Sequence, residues 1–389
     1  MSESPPTGPP TGPPQVPAPL KIPMCGSFCN DLKSGYDFKS IHCKIPGCKS
    51  CTQDGCILRI DKVLGEGTYG KVFLVKHGSD GKLYAIKVFN RKSKFQPAAK
   101  HEAAILELVR GSPNVIDLIA AFEENNGCCA HFCLLLHCFE MSLYDYFCKN
   151  QHVRSSLSEI RGKVRSLLLG LKWFLHEKDV LHCDLKPENV LVDQNGELVI
   201  CDLGSACFIS KPHCGNMTSS SYRAPELMGK VEYGTPSDVW AMGCLLVELL
   251  LNKAFFYDMI DSEQKRMQKN IISNIHVEFK KLYSHADVEM LMSFFTLFFH
   301  LDPVKRGKIE EILEHPFLRD GASSAASKKR RITGEEPSTK AAKTGDLLDP
   351  LHSVSSSPFP PFPRDPFAHL RNTPLSHRQE IDEVLANGF

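Results

Sequence analysis

Between Ile57 and Phe89 the apolar residues fall in three short runs, Ile57–Val63, Val72–Lys76 and Leu83–Phe89, parted by a glycine-rich turn and by Ser79-Asp80-Gly81. Runs of this length, rich in Val, Ile and Phe and bounded by turn residues, form strands joined as hairpins, so the stretch predicts a β-meander. From Ala98 the spacing changes, with Ala103, Leu106 and Val109 recurring at helical intervals. Two more strand-like runs follow near Val115–Phe122 and His131–Leu136. Beyond Ser142 helical patterns dominate, notably Leu157–Glu177, Pro236–Leu251 and Val288–Phe299. Strands written first and helices second predict an α+β chain of two lobes: a small β-rich lobe with one key helix, meeting a larger α-helical lobe near Leu136–Glu140.

The flanks have another composition. Residues 1–20 hold eight prolines among Gly, Ser and Thr, too little apolar surface to offset chain entropy, so 1–24 is expected to be a disordered arm. A cysteine-rich extension, 25–56, leads into the two-lobed domain, 57–319. From Asp320, Ser, Pro, Lys and Gly take over, and 320–389 is expected to be a mostly disordered tail with a basic cluster. A chain of 389 residues, 42% of them apolar, can bury one large core between such tails. A formal net charge of +1 supplies no whole-chain field toward nucleic acid or membrane, so neither is expected as a partner, and the chain is expected to be a monomer. The most apolar stretches, Cys244–Leu251 and Met290–Leu301, fall short of the roughly 20 residues that cross a bilayer. The N-terminus lacks a basic and then apolar leader, so the sixteen cysteines are expected to be reduced thiols of an intracellular protein, nuclear or cytoplasmic.

Several segments carry chemistry. Gly65-Glu66-Gly67-Thr68-Tyr69-Gly70 lies at a strand–turn–strand, where missing side chains let backbone N–H groups approach phosphate oxygens; alone, it is equally a hairpin turn. Seventeen residues past Gly70, Lys87 places an ammonium on the third strand. Glu102 on the following helix can reach back to it, with Glu107 the competing partner; Glu102 is preferred because Ile105 and Leu106 then face the core beside it. His182-Cys183-Asp184-Leu185-Lys186-Pro187-Glu188-Asn189 is the strongest single signal. Asp184 suits the acceptance or orientation of a hydroxyl proton, Lys186 the neutralisation of a moving phosphoryl group, and Asn189 the supply of an oxygen to Mg²⁺. Eighteen residues after Asp184, Asp202 follows the strand-like Glu197–Ile200, so its carboxylate would emerge where a second contact to Mg²⁺, or to Mn²⁺ in its place, is wanted.

Together these segments resemble the eukaryotic protein kinase family, as do Ala224-Pro225-Glu226, the run Ser237–Gly243 and Asp302–Arg306, all in the family's order over about two-thirds of the chain. The resemblance implies a bilobal protein kinase fold, ATP with Mg²⁺, and transfer of phosphate to Ser or Thr of protein substrates, Lys186 marking the Ser/Thr type. It makes Asp184, Lys186, Lys87 and Glu102 catalytic, and Asn189 and Asp202 the metal ligands. It lines the nucleotide site with Leu64, Gly65, Glu66, Gly67, Thr68, Tyr69, Gly70, Lys71, Val72, Ala85, Leu136 and Phe139, and pairs Arg306 with Glu226. His-Cys-Asp in the catalytic loop, Gly204-Ser205-Ala206, Tyr222–Glu226 and the 15-residue step from Lys87 to Glu102 resemble the CMGC group, near the dual-specificity Tyr-regulated and homeodomain-interacting kinases. A scaffold that keeps the fold without catalysis is the alternative; loss of the strand lysine, the catalytic aspartate or a metal ligand would mark it, and none is lost.

Departures from the pattern carry expectations of their own. Cys183 stands where the family's phosphate-reading arginine belongs, so activity is expected without activation-loop phosphorylation. Asn216 occupies the place of the branch's activation-loop tyrosine, and Ser220 that of an arginine tied to proline-directed specificity. Outside the domain, Cys25, Cys29, Cys43, Cys48, Cys51 and Cys56 cluster, and Cys48-x2-Cys51 has the spacing for two thiolates on one structural Zn²⁺; the alternative is reduced cysteines in an extension packed on the small lobe. Lys328-Lys329-Arg330-Arg331 matches a nuclear-import signal read by an importin, with a solvated basic run as the alternative. Pro358–Pro366 alternates proline with phenylalanine, as a docking peptide would.

Overall fold

A computed structural model describes residues 32, 34–41, 56–67, 69–78, 80–90, 96–112, 114–125, 130–150, 155–212, 219–229, 232–256 and 261–319. Thr68, Asn216, Cys48 and Cys51, the basic run 328–331, the proline–phenylalanine segment and both flanking arms lie outside the described residues.

The small lobe is an antiparallel sheet of six strands: β1 (Asp37–Ile41), β2 (Cys56–Glu66), β3 (Gly70–His77), β4 (Leu83–Phe89), β5 (Leu118–Asn125) and β6 (Ala130–His137), in the order β1-β2-β3-β4-β6-β5. Strand β4 shows why an extension is needed. Its alternate residues Ala85 and Phe89 face helix α1 (Gln96–Leu108), while Tyr84, Ile86 and Val88 are buried on the opposite face. That outer face would be wet if the sheet ended at β2. Leu32, Tyr36 and Phe38 cover it, Phe38 fully buried against Phe122 at 6.3 Å between ring centroids and Tyr36 donating to Glu124 Oε1 at 2.9 Å. The strand-forming part of the extension, β1, was not foreseen from sequence, because its five residues are too short to show an alternation.

The chain passes at Cys138–Glu140 into the large lobe, through β7 (Met141–Ser142) and α2 (Leu143–Lys149). Helix α3 (Leu157–Lys172) starts on a capping box, in which the Ser156 hydroxyl takes the Glu159 N–H and the Glu159 carboxylate takes the Ser156 N–H. The predicted helix to Glu177 is in fact α3 followed by a π-helical turn, Trp173–Glu177, so its periodicity slips over the last five residues. Strand pairs β8 (Val180–Leu181) with β11 (Cys207–Phe208), and β9 (Val190–Val192) with β10 (Leu198–Ile200), frame the cleft. Helix α4 (Thr235–Leu251) is mostly apolar and buried from Ser237 to Leu251, packing on α3 and α5 (Asp261–Lys280), while α6 (His285–Phe295) and α7 (Ile309–Leu313) complete the lobe. Helix α5, with polar residues at most of its early positions, carries little of the periodicity that marks α4, and sequence reading did not find it. No helix among the described residues is long and apolar enough to cross a membrane.

Candidate active site

Two polar clusters face each other across the cleft. The first joins three elements. Lys87, on β4 in register with Val72 of β3 and Leu134 of β6, projects beneath α1, and its Nζ donates to both carboxylate oxygens of Glu102 at 2.7 Å. The same Nζ reaches Asp202 Oδ1 at 2.9 Å. Glu107, the other candidate, pairs instead with Arg110 at 2.9 Å. Ile105 and Leu106 are buried beside Glu102, as the helical spacing requires. Burial opposes the charge on Lys87, but the two carboxylates outweigh it and hold the ammonium above its ordinary pKa. Packing likewise opposes the charge of Asp202, and Lys87 overcomes it, so that carboxyl is held below the usual range. Asp202 sits in the left-handed region at φ 59°, a conformation an aspartate tolerates better than most residues, and its side chain stays 46% exposed toward the cleft.

The second cluster lies within the large lobe. Asp184 Oδ1 accepts the Ser219 N–H at 3.1 Å and the Ser219 hydroxyl at 3.0 Å. Its Oδ2 accepts Lys186 Nζ at 2.7 Å and Asn189 Nδ2 at 3.0 Å. Lys186 also donates to Ser219 Oγ at 2.8 Å. With Nδ2 so engaged, Oδ1 is the Asn189 atom left for a cation. The Cys201 N–H donates to the Asn189 carbonyl at 2.9 Å, which sets Asp202 beside Asn189.

The loop that carries Asp184 hangs on a residue the sequence reading placed only in a buried-helix motif. Asp238, on α4 and fully buried, accepts the N–H of His182 at 2.7 Å, the N–H of Cys183 at 3.0 Å and the Tyr233 hydroxyl at 2.9 Å. His182 Nε2 donates to the Cys201 carbonyl at 3.0 Å, linking the loop to the strand before Asp202. Glu226 and Arg306 form the expected pair, at 2.6 Å, with the guanidinium also donating to the Pro236 carbonyl. Ser219 was missed because one serine in a run of serines has no signature; its position three residues before Tyr222 was the only pointer.

The hairpin between β2 and β3 roofs the cleft. A Cβ on Gly70 would stand 2.0 Å from the Val88 carbonyl oxygen, so the strand pairing itself demands glycine there. Gly65 and Gly67 meet nothing within 4 Å: their missing side chains leave open space of the kind a phosphate group would fill. Glu66 and Lys71 pair across the hairpin at 3.1 Å, and Leu64 and Tyr69 are exposed. Ala85 is opposite Leu136 on the neighbouring strand, both buried, and half-buried Phe139 packs close by. Asp202 and Asn189 supply an all-oxygen donor set, which suits a hard divalent cation such as Mg²⁺. No cluster of three or more metal-ligating side chains occurs among the described residues.

Residues 58–318 match the protein kinase domain family. The chain belongs to that family. The kinase is 33% identical over 202 residues to Dual specificity tyrosine-phosphorylation-regulated kinase 3 of Homo sapiens, a match covering 50% of this chain and 34% of that protein. It is 32% identical over 218 residues to the kinase mbk-2 of Caenorhabditis elegans, covering 54% of this chain and 26% of that one. The matches thus span about a third or less of these relatives. A crystal structure of a kinase domain superposes with a TM-score of 0.57 at 24% identity, covering 67% of this chain and 95% of that one, a likeness of fold. This chain is therefore a divergent relative of the dual-specificity Tyr-regulated kinases, the branch its motifs resemble.

Proposed function

We propose that this kinase transfers the γ-phosphoryl group of ATP to serine or threonine hydroxyls of proteins, and does so without a phosphate on its own activation segment. The observation that carries the reading is the Asp184 carboxylate, held by four donors with Lys186 and Asn189 among them, on the loop that faces the Lys87–Glu102–Asp202 cluster. ATP and Mg²⁺ are what the protein kinase family uses in general, and they would supply the phosphoryl group and the charge that screens it. Lys87, steadied by Glu102, would hold the α- and β-phosphates, and Gly65 and Gly67 would admit them under the hairpin. Asp202 and Asn189 would hold the cation. Asp184 would orient the substrate hydroxyl and take its proton, while Lys186 would meet the charge that develops on the transferring group.

Independence from phosphate is supported by Cys183, which is buried and uncharged where the family's arginine would stand. The Ser219 contacts to Asp184 and Lys186 close the end of the activation segment from within the chain. The scaffold alternative has no support: each residue whose loss would mark it is present and in contact with its partners.

The test is transfer of radiolabel from ATP to a generic basic protein, followed by phosphoamino-acid analysis. Label on serine and threonine that disappears with Asp184→Asn is the expected result. Label on tyrosine alone would refute the acceptor class, and equal transfer by both proteins would refute the catalytic reading.

A further inference from the structure

Two consecutive side chains on α1 have different duties. Glu102 enters the cleft and meets Lys87, while His101, about 100° away around the helix, reaches the segment that follows Asp202. There His101 Nε2 lies 2.7 Å from the carbonyl oxygen of Ala206. A carbonyl only accepts, so Nε2 carries the hydrogen whatever the charge on the ring. Ala206 is buried, and its own N–H closes the turn Leu203–Ser205 on the Leu203 carbonyl at 3.1 Å. The His101 bond therefore ties α1 to the turn that places Asp202.

Beside the Lys87 bridge from Glu102 to Asp202, the junction also holds apolar and steric contacts. Leu203 is fully buried, and a Cβ on Gly204 would stand 3.1 Å from Glu102 Oε2. Such packing allows a helix to slide or turn by small amounts, whereas a directional hydrogen bond loses strength steeply with angle. From the other side, the neighbour of Ala206 is met without charge: Cys207 Sγ lies 3.5 Å from Cys183 Sγ, both buried.

We propose that His101 is a positioning residue, whose Nε2–H bond to Ala206 keeps α1 docked and so keeps Glu102 on Lys87 and Asp202 at the cleft. It does by a hydrogen bond to a backbone carbonyl what a phosphate-reading arginine at Cys183 would otherwise secure. This rests on the reading that the unphosphorylated kinase is active.

The test compares His101→Met with His101→Gln in the full chain after phosphatase treatment. Both side chains are unbranched, alike in length and at home in helices, but only glutamine carries an N–H. With Met, kcat/KM for ATP is expected to fall about tenfold, the worth of one hydrogen bond in an aligned site. With Gln it is expected to stay within about threefold of wild type, and the two variants are expected to melt together. A merely structural histidine would lower the melting temperature in both and leave kcat/KM per folded molecule unchanged. An unimpaired Met variant beside an active wild type, or Met and Gln falling equally, would overturn the proposal alone. A wild type inactive after phosphatase treatment would overturn the phosphate-free reading first. A second measurement needs no variant: in histidine-labelled wild type, Nε2 of His101 is expected to be protonated with a slowly exchanging hydrogen, and an unprotonated Nε2 would overturn the proposal.

Discussion

The cluster around Asp184 and the cluster around Lys87 differ in what holds them. Asp184 takes its donors from its own lobe, and the loop beneath it is fastened to Asp238, in the buried stretch of α4. To disturb that arrangement the core must open. Lys87, Glu102 and Asp202 come instead from β4, α1 and the turn after β10, so one shift of α1 separates them without unfolding anything. The Asp184 side of the cleft is fixed by folding and the Lys87 side by docking, so a kinase that lacks a phosphate-reading arginine must secure the second side by other contacts.

That contrast can be broken at several points. The largest effect is expected from Asp184→Asn, with kcat lower by roughly 10²–10⁴ and unchanged KM for ATP in steady-state kinetics, because the role proposed for it is on the hydroxyl and not the nucleotide. Next, Arg306→Ala leaves the Glu226 carboxylate, 9% exposed, without its ionic partner and with the Ser237 hydroxyl still donating to it, and is expected to cost about 3–5 kcal/mol in denaturant unfolding. On the docked side the balance reverses. Glu102→Gln is expected to lower kcat/KM for ATP by about 10- to 100-fold, the worth of a charged hydrogen bond, with a smaller loss in unfolding free energy. Equal losses of stability and activity in Arg306→Ala and Glu102→Gln would erase the distinction.

A pH-dependent effect concerns the connection behind α1. Asp117 accepts only the Gly111 N–H, at 3.4 Å, while its Oδ2 is buried without a partner. Burial pushes its carboxyl up to about 6. A folded-state pKa above the unfolded value means that the neutral form is favoured in the native protein. Its contribution to stability is therefore full below about pH 4 and lost as pH rises through about 6. Asp117→Asn is expected to match wild type at the acid end and to exceed it by about 2–3 kcal/mol at pH 7, measured by unfolding across that range. A difference independent of pH would show that Asp117 is not charged at a cost.

Much of this molecule was legible in its sequence. The run Leu83–Phe89 was read to its ends because turn residues bound it on one side and Tyr84, Ile86, Val88 and Phe89 are strand formers. Glu102 was chosen over Glu107 from helical phase alone, and the pairing with Lys87 follows. Strand β5 begins three residues later than expected, because Val115 and Ile116 bind the β10 end of the large lobe instead, with the Ile116 N–H on the Ile200 carbonyl at 2.9 Å. What stayed hidden was long-range. Phe38 covering the outer face of the sheet, Asp238 holding a loop 55 residues away and His101 meeting Ala206 all depend on neighbours that no local pattern announces.

The central claim is that this kinase works with an unphosphorylated activation segment. The most direct measurement is the initial rate of phosphate transfer by protein treated with phosphatase and shown by mass spectrometry to carry no phosphate at the outset. The account predicts full activity from the first turnover, abolished by Asp184→Asn. A lag that shortens as the kinase phosphorylates itself, or no activity until another kinase acts on it, would contradict it.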